Sequence, residues 1–362
     1  MPMRLLLLPL LATLACTPGL PDTRAPGPDA GPGCEYVSGA TRGACCGACP
    51  GQEYCNTKTC LCEDVVEPCV SGGSDGGPAN TPDAGAPDAG TVPAGSVGPD
   101  GGSVDRLWFA TTGDTRPASC DQTQNYPKAA IAQIAASMKA LRVQFAVDLG
   151  DHMFVCNQSD AEAQEQMGFY TAAMAQGPGT WWMTMGNHEC GNNLQPYACF
   201  GDTHDANFAA YMAALKRPLP YYFTDVQTSL GLARFVFIAD DSWNNAQAAW
   251  LESTLADADA RAKYTIIARH HPVQGTRTGN AAIVAAIQRH KYALILTAHN
   301  HSYSHDTASF GARSAVVGLG GASPTTQPGF ATVLQNADGS LSFVLRDASG
   351  NPLGAPWSVT PQ

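Results

Sequence analysis

From about residue 105 onward the chain alternates between two kinds of hydrophobic pattern. Short apolar runs bounded by polar or glycine-containing turns predict strands at Leu107–Thr111, Val143–Asp148, Thr180–Met185, Arg234–Ala239, Tyr264–Arg269 and Ala293–Thr297. Between them, apolar residues spaced three to four apart predict helices at Ala129–Leu141, Ala161–Ala175, Ala206–Leu215, Ala246–Ala258 and Asn280–His290. Further strands are expected at Ser314–Val317, Ala331–Leu334 and Leu341–Leu345 without helices between them, so the sheet is not expected to be purely parallel. The pattern reads as one large α/β domain over 105–362.

Residues 1–104 lack this periodicity. Arg4 followed by the apolar run Leu5–Ala15 is too short to span a bilayer and has the form of an export signal. The Thr13-Leu14-Ala15-Cys16 junction also has the form of a lipoprotein signal, which would make Cys16 an acylated membrane anchor; ordinary cleavage nearby is the alternative. Residues 17–33 form a Pro- and Gly-rich leader that cannot bury enough surface to offset chain entropy. Eight cysteines then fall within 34–70 (Cys34, Cys45, Cys46, Cys49, Cys55, Cys60, Cys62 and Cys69). In an exported chain they predict a small module held by disulfides, with a zinc site at Cys46 and Cys49 as the alternative. Residues 71–104, with the repeated Pro-Asp-Ala-Gly at 82–85 and 87–90, read as a linker.

The chain carries 20 Lys and Arg against 31 Asp and Glu, a formal charge of -11, with no basic run. Nucleic acid is therefore not an expected partner, because nothing supplies the attraction to a phosphate backbone.

Chemistry gathers at the ends of the predicted strands, where loops of an open α/β sheet assemble sites. The first strand is followed by Gly113-Asp114-Thr115-Arg116, the second by Gly150-Asp151-His152 and the third by Gly186-Asn187-His188-Glu189. Later strands lead into His270-His271-Pro272 and His299-Asn300-His301. Any one cluster is weak evidence; five in order after strands are not.

In that order the clusters resemble the calcineurin-like metallophosphoesterase superfamily, in the style of its purple acid phosphatase branch, over essentially all of 105–362. The resemblance implies a four-layer α/β/β/α sandwich of metallo-dependent phosphatases, here preceded by the small disulfide-rich module and disordered linkers. It implies two metal ions, divalent or trivalent, of the set Mn, Fe, Zn, Ni or Mg. Asp114 and His301 would bind the first, Asn187, His270 and His299 the second, and Asp151 would bridge them. His270 is preferred to His271 because the family ligand stands two residues before the proline. His188 would face the substrate and stabilise the transition state or protonate the leaving oxygen, with Glu189 orienting it. The reaction implied is hydrolysis of a small phosphate ester by a metal-bound hydroxide, a monoester first and a diester or pyrophosphate as alternatives.

Two residues depart from the family pattern. Many members carry a histidine ligand where this chain has Arg116, and a guanidinium offers no lone pair. It is expected to pair with a carboxylate or the substrate phosphate, or else to be a solvated loop residue. Phe154 stands where purple phosphatases have a tyrosinate ligand, so charge-transfer iron chemistry is not expected and the first ion would have three protein ligands. A degenerate scaffold serving as an envelope binding protein is the competing reading. Four cysteines lie in the α/β domain, and the pairs Cys120 with Cys156 and Cys190 with Cys199 would brace the loops around the site.

Overall fold

The computed structural model describes residues 53–56, 61–64, 93, 95–190, 205–272, 279–306, 313–322 and 327–361. The chain divides into a unit over Met1–Asp83 and one over Ala84–Gln362. In the first, Glu53–Asn56 (β1) and Leu61–Asp64 (β2) form an antiparallel pair with Cys55 opposite Cys62. The export signal, Cys16, the leader and the rest of the cysteine-rich segment lie outside the described residues.

The second unit is a mixed α/β fold built on two sheets. One sheet contains Gly95–Gly98 (β3), Gly101–Val104 (β4), Tyr222–Thr228 (β8), Gly231–Phe237 (β9), Tyr264–Ala268 (β10), Leu294–Thr297 (β11), Tyr303–Asp306 (β12) and Ser314–Val317 (β13), ordered β12-β13-β11-β10-β9-β8-β4-β3. The other contains Trp108–Thr112 (β5), Phe145–Asp148 (β6), Trp181–Met183 (β7), Gly329–Gln335 (β14), Leu341–Asp347 (β15) and Trp357–Val359 (β16), ordered β16-β15-β14-β5-β6-β7. Helices are Lys128–Ala140 (α1), Asp160–Met174 (α2), Ala206–Leu215 (α3), Asn245–Arg261 (α4) and Asn280–Gln288 (α5).

The expected linker over 71–104 runs too far. Residues 95–104 form the hairpin β3–β4, which adds to the sheet edge through β8. Its glycines hid it from a reading based on apolar periodicity: Gly101 and Gly102 have φ of 103° and 158°, conformations that only glycine adopts cheaply.

Side-chain parity sorts the core into layers. On β9, Phe235 and Phe237 point into the cluster shared by both sheets, while Val236, like Ile238 just past the strand, packs with Leu251, Leu255, Ile283 and Ile287 of α4 and α5. On β5, Phe109 meets Phe235 across the sheets at 5.3 Å, edge to face, while Trp108 and Ala110 turn outward to Ile134 and Met138 of α1. Each such ring removed from water contributes roughly 1.5–3 kcal/mol. The parallel strands β5, β6 and β7 of one sheet and β9, β10, β11 and β13 of the other are the frame on which the functional loops hang.

Candidate metal centre

Asp114 follows β5, Asp151 follows β6, and Asn187 follows β7, all in one sheet; His270 follows β10, and His299 and His301 follow β11, in the other. The loops are stitched by backbone bonds. The Asp114 amide donates to Gly150 O at 2.9 Å, that of Thr115 to Asp151 O at 2.9 Å, and that of Ala298 to His270 O at 2.8 Å. Four of the six expected ligands sit on left-handed backbone, at φ of 61° for Asp114, 62° for Asp151, 72° for His299 and 49° for His301. Such conformations cost about 1–3 kcal/mol each and persist only when surrounding structure enforces them. Two glycines make room for the arrangement. A Cβ on Gly186 would overlap Asp151, and one on Gly113 would overlap the Ala298 side chain, which stands where the family pattern has glycine.

All six expected ligands converge. Asp151, His270 and His299 present donor atoms within 4.8 Å of one another, and so do Asp114, Asp151 and His301, so Asp151 belongs to both groups. Asn187 Oδ1 lies 2.9 Å from His299 Nδ1 and 3.2 Å from His270 Nε2, and His270 Nε2 lies 3.3 Å from Asp151 Oδ1. His270 Nδ1 donates to Leu149 O at 2.7 Å, which aims Nε2 at the site. Among the described residues, both buried carboxylate oxygens of Asp114 have no hydrogen-bond partner. An anion in that position is costly unless a cation meets it, and the donor set of oxygens and imidazoles suits hard or borderline ions. The residues fit a two-ion centre.

The electrostatics carry the same signature. Burial pushes the Asp114 carboxyl up to about 7. Burial also opposes charge on Asp151, yet the neighbouring His270 and His188 outweigh it and hold that carboxyl well below the usual range. For His270, burial disfavours the imidazolium, but the charge and hydrogen bond of Asp151 lift it to about 10. A negative pocket that holds a proton where a metal would sit is what such a ligand set does by itself.

His188 stands beside this centre, its ring 4.0 Å from that of Phe154 and its Nε2 3.7 Å from Asp151 Oδ2. Burial lowers its pKa to about 4. Glu189 was expected to orient His188. Its carboxylate accepts from the amides of Asp151 (3.0 Å), His152 (2.6 Å) and Gly186 (2.6 Å) and from His152 Nδ1 (3.2 Å). Arg116 is buried rather than solvated, with Nε 3.3 Å from Asp151 Oδ2 and Nη2 3.1 Å from His301 Nε2.

Sequence reasoning assigned no role to His152 or Asp148. His152 lies between Glu189 and Asp148 Oδ1, the latter 2.9 Å from its Nε2. Burial opposes its charge, but the two carboxylates raise its pKa to about 10. The only signal available was its place beside Asp151. His271 bonds Asp241 at 2.7 Å, its ring packed 4.3 Å from that of His299. Tyr303 accepts from Trp357 Nε1 at 3.0 Å, a packing position. Cys120 and Cys156 form a disulfide with Cα atoms 5.6 Å apart. Cys190 is also disulfide-bonded; its expected partner Cys199 lies outside the described residues.

Residues 107–303, more than half of the chain, match the calcineurin-like phosphoesterase family, and the protein belongs to it. No curated protein sequence matches the chain. Among solved structures it is similar to a purple acid phosphatase isolated from yellow lupin (Lupinus luteus) seeds, at 17% identity and a TM-score of 0.52 over 70% of this chain. The match spans 54% of the lupin protein, so the chain covers about half of that relative. It is also similar to a dimetal phosphatase from Danio rerio, at 15% identity and a TM-score of 0.47, over 71% of this chain and 99% of the other. At these identities the likeness concerns the fold.

Proposed function

We propose that the chain is an exported, metal-dependent phosphoesterase whose preferred substrates are small phosphomonoesters. The observation that carries this reading is the pair of donor groups sharing Asp151, set in a family of phosphoesterases. Asp114 and His301 would hold one ion, Asn187, His270 and His299 the other, and Asp151 both, with Mn, Fe, Zn, Ni or Mg as the candidate ions. When bound, the ions supply Lewis acidity toward the phosphate oxygens and acidify water.

The chain's own residues do the rest. His188, fixed by its amide on Asp151 Oδ1 at 3.0 Å and by Asn207 Nδ2 donating to its carbonyl at 2.8 Å, is placed to face the substrate. With its pKa lowered to about 4, the ring is neutral near pH 7 and stabilises the transition state by an N–H hydrogen bond to a phosphate or leaving oxygen. Phe154 packs on its ring and limits its rotation. Glu189 and His152 hold the loops that carry Asp151 and Asn187 at fixed separation. Export and a lipid anchor at Cys16 rest on the run from Arg4 to Cys16; intact mass of the mature N-terminus tests the anchor, and a mass without acyl chains overturns it.

The deciding assay is p-nitrophenol release from mono- and diester substrates by chelated protein reloaded with each candidate metal. Monoester turnover above diester turnover is expected. Preference for the diester, or faster release of orthophosphate from pyrophosphate in a parallel phosphate assay, would change the substrate class. Inactivity with every metal would overturn the enzyme reading in favour of an envelope binding protein, which Arg116 and Phe154 at the first-ion position favour.

A further inference from the structure

The two donor groups differ in what already touches them. At the group formed by Asp151, His270, His299 and Asn187, the donor atoms face one another at 2.9–3.3 Å. At the group formed by Asp114, Asp151 and His301, the Arg116 guanidinium is already seated. Its Nε donates to Asp151 Oδ2 at 3.3 Å, and its Nη2 meets His301 Nε2 at 3.1 Å. Because a guanidinium can only donate, the His301 nitrogen accepts in that contact, and its lone pair is directed at arginine.

The guanidinium is also held from behind. Nη1 donates to Pro117 O at 2.9 Å, and the cation lies over the Phe154 ring, 4.6 Å from its centroid. Phe154 thus supports the cation at a position where the family pattern implies a ligand. The side chain is only 10% exposed, so water screens it little.

We propose that Arg116 is a resident cation of the first-ion position. The protein then takes up its ions in sequence: the Asp151, Asn187, His270 and His299 position fills tightly, and the Asp114, Asp151 and His301 position fills only by displacing the guanidinium. Like charges a few ångström apart in a poorly screened site repel, and the arriving ion must also recover the His301 lone pair. The inference rests on the two-ion reading of the centre.

The test is metal stoichiometry of the full chain, chelated and then equilibrated with Mn(II) or Zn(II), by calorimetric titration and by elemental analysis after desalting. The unsubstituted protein is expected to keep one ion per chain and to bind the second at least tenfold more weakly. Arg116→Gln, which removes the charge and keeps a polar side chain, is expected to raise the affinity for the second ion at least tenfold and, with Mn(II), to show the spin-coupled resonance of a paired centre. Arg116→Lys, which keeps the charge, is expected to stay within threefold of the unsubstituted protein and guards against effects of repacking. Two equally tight ions in the unsubstituted protein would overturn the proposal, as would Arg116→Gln with an unchanged second affinity. Absence of any ion from every variant would overturn the metal-centre reading itself, a different result.

Discussion

Replacing Glu189 with glutamine tests how the site is held together. Its two carboxylate oxygens are fully shared. Oε1 accepts from the His152 amide at 2.6 Å and from His152 Nδ1 at 3.2 Å, and Oε2 accepts from the amides of Asp151 at 3.0 Å and Gly186 at 2.6 Å. Glutamine keeps the shape but turns one oxygen into an amino group, so whichever way it lies, two buried N–H groups face another donor. Each orphaned donor costs about 1–3 kcal/mol, and the remaining pair loses the strengthening that a charged acceptor gives. The sum is a loss of roughly 3–5 kcal/mol, a large share of the ~5–15 kcal/mol that stabilises a typical domain. In urea, followed by tryptophan fluorescence, the unfolding midpoint of Glu189→Gln should fall by on the order of 1 M. Metal affinity should fall with it, because the loops carrying Asp151 and Asn187 are the ones released. A midpoint within about 0.2 M of the parent, with metal affinity intact, would refute the argument.

Other substitutions address separate parts of the site. His188→Ala should lower kcat for a monoester by about 10²–10⁴-fold while leaving metal content unchanged; equal loss of metal would show that the residue serves the ligands instead. His152, at about 10 in the fold against an ordinary 6.5, stabilises fully below pH 6.5, and that contribution is lost as pH rises through 10. By linkage this amounts to ~4–5 kcal/mol, so the unfolding free energy of the parent should decline across that window relative to His152→Gln, and parallel profiles would count against it. Joint Cys120→Ser and Cys156→Ser substitution opens a loop with a sequence separation of 36 and should reduce stability by about 3–4 kcal/mol in thermal unfolding, activity being preserved once folded.

Much of the fold was legible because its strands are short, apolar and followed by chemistry. Ala206–Leu215 and Ser314–Val317 begin and end where the periodicity placed them, and β10 starts at Tyr264 as expected. What escaped were strands whose burial alternates without an apolar run. Tyr222–Thr228 buries every second residue, but Asp225 and Gln227 interrupt its hydrophobicity. Tyr303–Asp306 and Trp357–Val359 are edge strands too polar and short to register. The order of polar clusters made the six donor residues legible. The support for them was not, since Glu189 serves backbone amides and His152 is wedged between Asp148 at the end of β6 and Glu189 from the turn after β7, relations that exist only after folding.

The four left-handed donors have a consequence for how firmly the six side chains can grip. Asp114, Asp151, His299 and His301 are wound into these conformations, and backbone bonds from the Asp114 amide to Gly150 O and from the Ala298 amide to His270 O tie their loops. The aim of each donor is therefore fixed by the main chain as well as by side-chain rotation. Removing that winding, by grafting the same six side chains onto relaxed turns, would leave a site of identical composition that grips far less firmly.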